Sequence, residues 1–477
     1  MPLHPDSKIL IVGSGVFGLS TALWLARAGY RRVTVLDMQD TASTGYDPGA
    51  GVDSASADIN KIIRFSYGKE IEYQRLASQA AEIWDEWNRE FASDKEVPEV
   101  LRRGERKLWY KCGFLRMAAG SEFSDSEIQT LRNMELEGVR DTQFKSDDDA
   151  DIQRAMRTGW APKLDVCRRQ ERFGVHKAVL DSSAGFVVAF KACAWAQLLA
   201  KRAGVDFILH PTKGKVVGIE MSDDNSKHAI VRTADGISHE ADLVVVAAGG
   251  WTAGLVPEAD GLIETTAGSV ATIRLPEDRK DLWERFSPEN FPVVTWGMHE
   301  GKDIYSFPRD ENGVIKIGYR KTKWTNFSNC GGKRISVPKT AHVTQEKETR
   351  IPVPALEGIK EYISTNLPEL ADLGLSSTWL CWYTDSIDNS FVVDYVPGRP
   401  RLAVCSGGSG HGFKFLPILG REVVKILEGK ADKTVFGALW KWRSAAPGKA
   451  RNGLEEGEDG PRVLERQQMA GPDDWIP

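Results

Sequence analysis

Paired cysteines are missing from this sequence. Its 477 residues include six cysteines, at 112, 167, 193, 330, 381 and 405, with no CxxC pair among them. Neither a zinc site nor a disulfide framework is suggested, and a reducing, intracellular compartment is expected. That means cytoplasmic, or peroxisomal without a recognised C-terminal signal, because the chain ends DDWIP. The polar start MPLHPDSK runs straight into a strand and lacks the shape of a signal peptide. No apolar run reaches membrane-spanning length, so no membrane partner is expected. An excess of basic residues is also missing. Lys and Arg number 62 against 67 Asp and Glu, a formal net charge of -5, which argues against a nucleic-acid partner. It leaves open a small anionic substrate held by a few local cations. What remains is an ordinary soluble composition, long enough for two domains or two interleaved lobes.

The clearest motif stands at the N-terminus. Residues 8–18 read KILIVGSGVFG: a strand at Ile9 to Val12 enters Gly13-x-Gly15-x-x-Gly18. A helix STALWLARAG follows, and a second strand RRVTVLD ends at Asp37. Strand, glycine turn, helix and strand-terminal acid are the order of a dinucleotide site. Gly13 permits the tight turn, Gly15 lets backbone approach a pyrophosphate, and Gly18 lets helix and strand pack closely. The helix N-terminus offers N–H groups to phosphate. Asp37 can accept from ribose hydroxyls, which disfavours a 2'-phosphate.

Downstream, a long loop of small and polar residues ends in Lys61, Arg64, Tyr67 and Lys69. Lys61 and Arg64 are three apart and would share a face on a helical turn; spacing alone fits a solvated charge pair equally well. The run EIEYQRLASQAAEIWDEWNRE is a predicted helix. Short strands (LWYKCGFLRMA), an acidic helix and a polar linker (QFKSDDDADIQ) follow, then a helix from about Phe190, the strand VDFILH and a meander. The strand Leu243 to Ala247 opens into Gly249-Gly250-Trp251, a second strand-to-glycine crossing. Residues 256–380 suit a mostly antiparallel sheet with helices. The expected fold is mixed α/β, a Rossmann-like nucleotide domain interleaved with an antiparallel substrate domain. The nucleotide domain takes 1–95, 166–255 and 381–440; the substrate domain takes 96–165 and 256–380; 441–477 is a surface-wrapping tail. Near the end, SGGSGHGFKFLP places Lys414 between Phe413 and Phe415 among Gly407, Gly408, Gly410 and Gly412. Strand-like alternation would turn the two phenylalanines one way and Lys414 the other, with a helix starting near Leu416.

Taken in order, GxGxxG, Lys-Ile-Ile-Arg at 61–64, Lys-Ile-Gly-Tyr at 316–319, Cys-Trp-Tyr-Thr at 381–384 and Gly-His-Gly-Phe-Lys-Phe at 410–415 resemble the monomeric sarcosine oxidase family of flavoenzymes. That family includes pipecolate and saccharopine oxidases and the fungal fructosyl amino acid oxidases, or amadoriases. The resemblance covers roughly residues 8 to 440. It implies FAD at Gly13, Gly15, Gly18 and Asp37, with Gly408, Gly410 and Gly412 at the flavin edge. It implies a covalent 8α-S-cysteinyl link to Cys381, whose neighbours Asp385 and Asp394 also match; Cys405 does not match the attachment position. Lys316 matches the lysine that activates oxygen, and with Tyr383, an aromatic bordering the pocket, forms the candidate catalytic set. Arg64 and Lys414 match the pair that grips the substrate carboxylate. Lys61 takes a neighbouring basic position, Tyr305 the pocket wall, and Tyr67 follows Arg64. His411 is read as packing or hydrogen bonding, not as a base. No metal is implied, and a monomer is expected.

One position departs from the pattern. Arg320 stands where sarcosine oxidase has histidine and where amadoriases have a glutamate nearby. The loop SADINK at 56–61 resembles the amadoriase version while the Tyr-Thr after Cys381-Trp382 resembles sarcosine oxidase, so the sequence sits between subfamilies. The leading expectation is an oxidase of an N-methyl or other N-alkyl amino acid, reducing oxygen to hydrogen peroxide. The alternatives are a fructosyl amino acid, a pipecolate- or saccharopine-like substrate, an oxygen-avoiding dehydrogenase or an inactive flavin-binding protein.

Overall fold

The computed structural model describes residues 3–50, 54–102, 104–222, 228–339, 348–444 and 456–476. Parts of the long loop (51–53), of the meander (223–227) and of the expected tail (445–455) lie outside the described residues.

Strand Lys8–Val12 is a continuous apolar run, which a strand covered on both faces requires. Ile9 and Ile11 join one core with Leu19 and Leu23 of helix Val16–Arg27. Leu10 and Val12 join another core with Val216 and Val231 of a three-stranded antiparallel meander. The strand lies inside a six-stranded sheet. In spatial order its strands are Val392–Val396, Arg399–Ser406, Leu243–Val246, Lys8–Val12, Arg32–Asp37 and Asp206–Leu209. All neighbours are parallel except the first pair. Helices Leu419–Leu427 and Ala189–Arg202 flank helix Val16–Arg27 on one face.

A second sheet has eight strands: Ser377–Ser386, Ile263–Arg274, Val314–Trp324, Ile304–Ser306, Val293–Trp296, Phe114–Met117, Ala178–Asp181 and Gln143–Lys145. Only the pairing of Val293–Trp296 with Phe114–Met117 is parallel. The fold is thus mixed α/β, a nucleotide-type parallel sheet interleaved along the chain with a mostly antiparallel one. Two stretches of the C-terminal segment dock on the second sheet's side: Val463 bridges Thr325, and Leu464 and Ala470 enter that core. No helix among the described residues is long and apolar enough to cross a membrane.

Three local expectations are corrected. The supposed polar linker at 143–153 is an edge strand, Gln143–Lys145, followed by helix Asp149–Thr158. Its acidic run is capping chemistry: Asp148 accepts from the Asp151 N–H. Lys61 and Arg64 do not share a helical face, because Lys61–Ile63 is a strand paired with Gly185–Val187 and the helix starts only at Ile71. Phe413–Phe415 is one 3-10 turn, so Lys414 and Phe415 are both buried, and the helix after it begins at Leu419.

Candidate active site

At the first glycine turn, Gly13 has φ +107, and a Cβ there would lie 2.5 Å from the Ala247 carbonyl oxygen. A Cβ on Gly18 would lie 1.9 Å from the Gly13 oxygen. Both positions need glycine for close backbone approach. Asp37 braces the turn: Oδ2 accepts from the Ser14 N–H at 2.6 Å and hydroxyl at 2.9 Å, and Oδ1 from the Gln39 N–H at 2.8 Å. One N–H of the helix start, on Val16, is already taken by Ser56 Oγ at 3.0 Å.

From this cradle a cavity of about 1470 Å³ runs to the second sheet. On its floor stands a compact charge cluster. Lys316, 1% exposed on the buried strand Val314–Trp324, donates to Asp58 Oδ2 and to the Asn60 carbonyl, both at 2.8 Å. Lys61 donates to the same Asp58 oxygen at 2.6 Å and reaches Cys381 Sγ at 3.6 Å. Burial pulls Lys316 down to about 8, with Lys61 adding to the fall and Asp58 opposing it. Burial alone would raise Asp58, but the two lysines outweigh it and hold its carboxyl below the ordinary range. Tyr305 closes this end. Its ring crosses Gly318 on the paired strand, where a Cβ would come within 2.0 Å of it.

A second group lines the same cavity. Lys414 Nζ donates to Tyr67 Oη at 2.9 Å and to the His411 carbonyl at 2.7 Å. His411 Nε2 faces the Asn389 carbonyl at 2.9 Å, so it carries the proton, and Nδ1 accepts from the Tyr67 hydroxyl at 3.2 Å. Burial, with Lys414 second, pushes His411 well below its ordinary value, which keeps it neutral. The Arg64 guanidinium lies 4.5 Å from the Tyr67 ring centre and donates to the Ser66 carbonyl. Trp84, from the long helix Ile71–Ser93, donates to the Lys414 carbonyl at 2.8 Å and fixes this turn. Arg320 lies 5.5 Å from the Tyr383 ring centre. Its guanidinium occupies the space beside Gly410 that a Cβ would need, 2.2 Å away. At Gly408 and Gly412 the corresponding space is filled by the Phe17 ring, at 3.0 and 2.8 Å. These two glycines therefore seat the motif on the first helix.

A family model described as FAD dependent oxidoreductase matches residues 8–426. The chain belongs to the FAD-dependent oxidoreductase family. An L-saccharopine oxidase of Schizosaccharomyces pombe is 26% identical over 91% of this chain and 93% of its own. An N-methyl-L-tryptophan oxidase of Salmonella typhi is 26% identical over 90% and 97%. The solved structure of a modified fructosyl peptide oxidase from Aspergillus nidulans is 27% identical, with a TM-score of 0.75 over 98% and 99% of the two chains. The protein is an FAD-dependent oxidase of an amine or amino-acid substrate, with O2 as electron acceptor.

The residues of the oxidase fit such a cofactor. The glycine cradle leaves room for a pyrophosphate, and the same cavity is lined by Asp37 at one end and Cys381 at the other. Asn60, which lines the same cavity, has its Oδ1 buried with no protein partner. All of Lys61, Arg64, Tyr305, Lys316, Arg320, Cys381, Tyr383 and Lys414 line the one cavity. Asp385 lies behind it, fully buried, held by Lys323 at 2.9 Å and Thr266 at 2.8 Å. Asp394 lies outside it, accepting from the Trp442 N–H at 2.8 Å. Cys405 lines the cavity too, but is 1% exposed and packs in the first core. Asp58 was missed by the motif reading. An acid three residues before a lysine was its only trace in the sequence.

Proposed function

We propose that the oxidase acts on the CH–NH bond of an N-substituted α-amino acid whose N-substituent is larger than methyl. The observation that carries the oxidase reading is one cavity lined by Lys316, Lys61 and Cys381, with Asp58 bonded to both lysines, and also by Arg64 and Lys414. Sequence motifs alone put an N-methyl or other N-alkyl amino acid first. The relatives named for saccharopine and for fructosyl peptides weigh toward the larger alternatives.

FAD, when bound, supplies the acceptor for the hydride and the route of both electrons to O2. In the balance, the C–H and N–H bonds of the substrate become a C=N bond, with two electrons and two protons released. O2 takes both pairs as hydrogen peroxide, and water then hydrolyses the imine. The chain's own share is placement and charge. Arg64 offers a planar fork and Lys414 a point charge to the α-carboxylate, which orients the C–H. Tyr67 and neutral His411 hold the Lys414 ammonium in place. Lys316, buried and backed by Asp58, presents a fixed cation to the charge that develops on oxygen. The experiment is a panel of saccharopine, fructosyl-valine, pipecolate, N-methyl-L-tryptophan and sarcosine, read by peroxide formation without NAD(P)H. Peroxide from a bulky secondary amine is expected. A cofactor that no member bleaches under anaerobic conditions would overturn the reading.

We also propose that Cys381 carries FAD as an 8α thioether. Its sulfur faces the cavity within 3.6 Å of the Lys61 ammonium. Joining Sγ to the 8-methyl carbon releases two electrons and two protons, which O2 takes as hydrogen peroxide. Denatured holoenzyme is expected to keep yellow fluorescence and a mass increase of one FAD. Cys381→Ala is expected to release the flavin on denaturation. Flavin that leaves the wild-type chain freely in acid would rule the tether out.

A further inference from the structure

Three cations converge on the substrate end of the cavity: Arg64, Lys414 and Arg320. None has a carboxylate within 4 Å among the described residues, although Glu70, on the same cavity wall, acts on Arg64 and Asp385 acts on Arg320 from further off. Arg64 donates to the Ser66 carbonyl, and Lys414 to the Tyr67 hydroxyl and the His411 carbonyl. Arg320 contacts Tyr383. The buried acid that acts on Arg320 is Asp385, whose two oxygens also accept from Lys323 and Thr266. The cations also act on one another. Burial first, then Arg64 and Arg320, push Lys414 well below its ordinary value. Arg320 by contrast keeps its charge: burial opposes it, but Tyr383 and Asp385 raise it above its ordinary value, so an α-carboxylate held by Arg64 and Lys414 would still leave a guanidinium charge in a place largely removed from water.

The placement of Arg320 is built into the fold. It ends the buried part of strand Val314–Trp324, lies against an aromatic ring and crosses Gly410, whose missing side chain is what gives the guanidinium room. Gly410 adjoins His411, which anchors the Lys414 and Tyr67 group. The guanidinium therefore stands next to the carboxylate grip without being used by it.

We propose that Arg320 is a specificity-determining residue that binds a second carboxylate, so that the substrate is a secondary amine bearing carboxylates on both arms. This rests on the amine-oxidase reading of the same cavity. A planar guanidinium beside an aromatic wall suits a carboxylate, which it meets with two parallel hydrogen bonds. A neutral sugar-derived or N-methyl arm would leave it unmatched.

The test compares saccharopine and an N-(1-carboxyethyl) amino acid with the corresponding N-ethyl amino acid, in wild type, Arg320→Gln and Arg320→Lys. Wild type is expected to prefer the diacids. In Arg320→Gln the ratio of diacid to monoacid kcat/KM is expected to fall about 30- to 100-fold, as for loss of one partner of a buried charged pair. Arg320→Lys should recover part of it. A second readout is binding of glutarate, a diacid that cannot be oxidised, followed by perturbation of the flavin absorption. It should weaken in the same order, while acetate binding changes less. Equal loss for diacid and monoacid, or a wild type that prefers the N-ethyl amino acid, overturns the second-carboxylate site and leaves the amine-oxidase reading standing. A wild type that oxidises none of these amines while glutarate still binds through Arg320 overturns the amine-oxidase reading instead.

Discussion

Replacing Lys316 with methionine lowers the rate at which O2 reoxidises the reduced enzyme by about 100- to 1000-fold, the range for removing one preorganised electrostatic group. Anaerobic reduction by substrate should change far less, because Lys316 is bonded to Asp58 with Lys61 and is not bonded to Arg64 or Lys414, the proposed carboxylate grip. Stopped-flow measurement of the two half-reactions separates them. Methionine nearly conserves the volume and leaves Asp58 paired with Lys61. The pH dependence gives an independent check. Burial brings Lys316 down to about 8 from an ordinary value of 10.5. The cation is present below that value and is lost above it, so the wild-type reoxidation rate falls as pH rises through about 8. In Lys316→Met that step disappears. A variant that reoxidises at the wild-type rate would place the oxygen site elsewhere.

The nucleotide half of this site was legible in the residues themselves. Gly13, Gly15, Gly18 and Asp37 fall on one strand, turn, helix and strand unit, where every relationship is local. The substrate half was not legible in that way. Lys316 meets Asp58 across 258 positions and Lys61 meets Cys381 across 320. No periodicity encodes such contacts, and only resemblance to known motifs brought most of these residues together on paper. Asp58 escaped because an acid in a polar loop looks like any solvated acid until two lysines are seen to point at it. The packing at Gly318 and Gly410, both already within the quoted motifs, escaped for a related reason: a distant side chain, Tyr305 or Arg320, occupies the place of each Cβ. The linker reading at 143–153 failed because an acidic run was taken as solvation, whereas Asp148 caps a helix. The strand reading of Phe413–Phe415 failed because alternation over three residues cannot tell a strand from one helical turn. Lys414 nonetheless lines the cavity, from a buried turn that Trp84 pins.

Asp58 carries the other large expected effect. Asp58→Asn keeps the shape of the side chain and removes its charge, leaving two buried ammonium groups facing each other. Breaking a buried charged group in this way costs about 3–5 kcal/mol, so a clear fall in Tm is expected at neutral pH. The sign of the pH dependence follows from the direction of the shift. The folded-state carboxyl sits below its ordinary value, so its stabilisation is present above the unfolded value. It is lost as pH falls through the folded one. The Tm gap between wild type and Asp58→Asn should therefore narrow in acid. Catalysis should change through Lys316, which Asp58 holds up against burial and Lys61. Without the carboxylate Lys316 titrates below about 8, and the fall in reoxidation rate moves to lower pH, while the proposed carboxylate grip at Arg64 and Lys414 is untouched. The double variant with Lys316→Met separates charge from packing. Removing one of the two opposed cations should restore part of the stability lost in Asp58→Asn, a non-additivity expected only if the three charges form one unit. Strictly additive losses would mean that Asp58 serves packing alone.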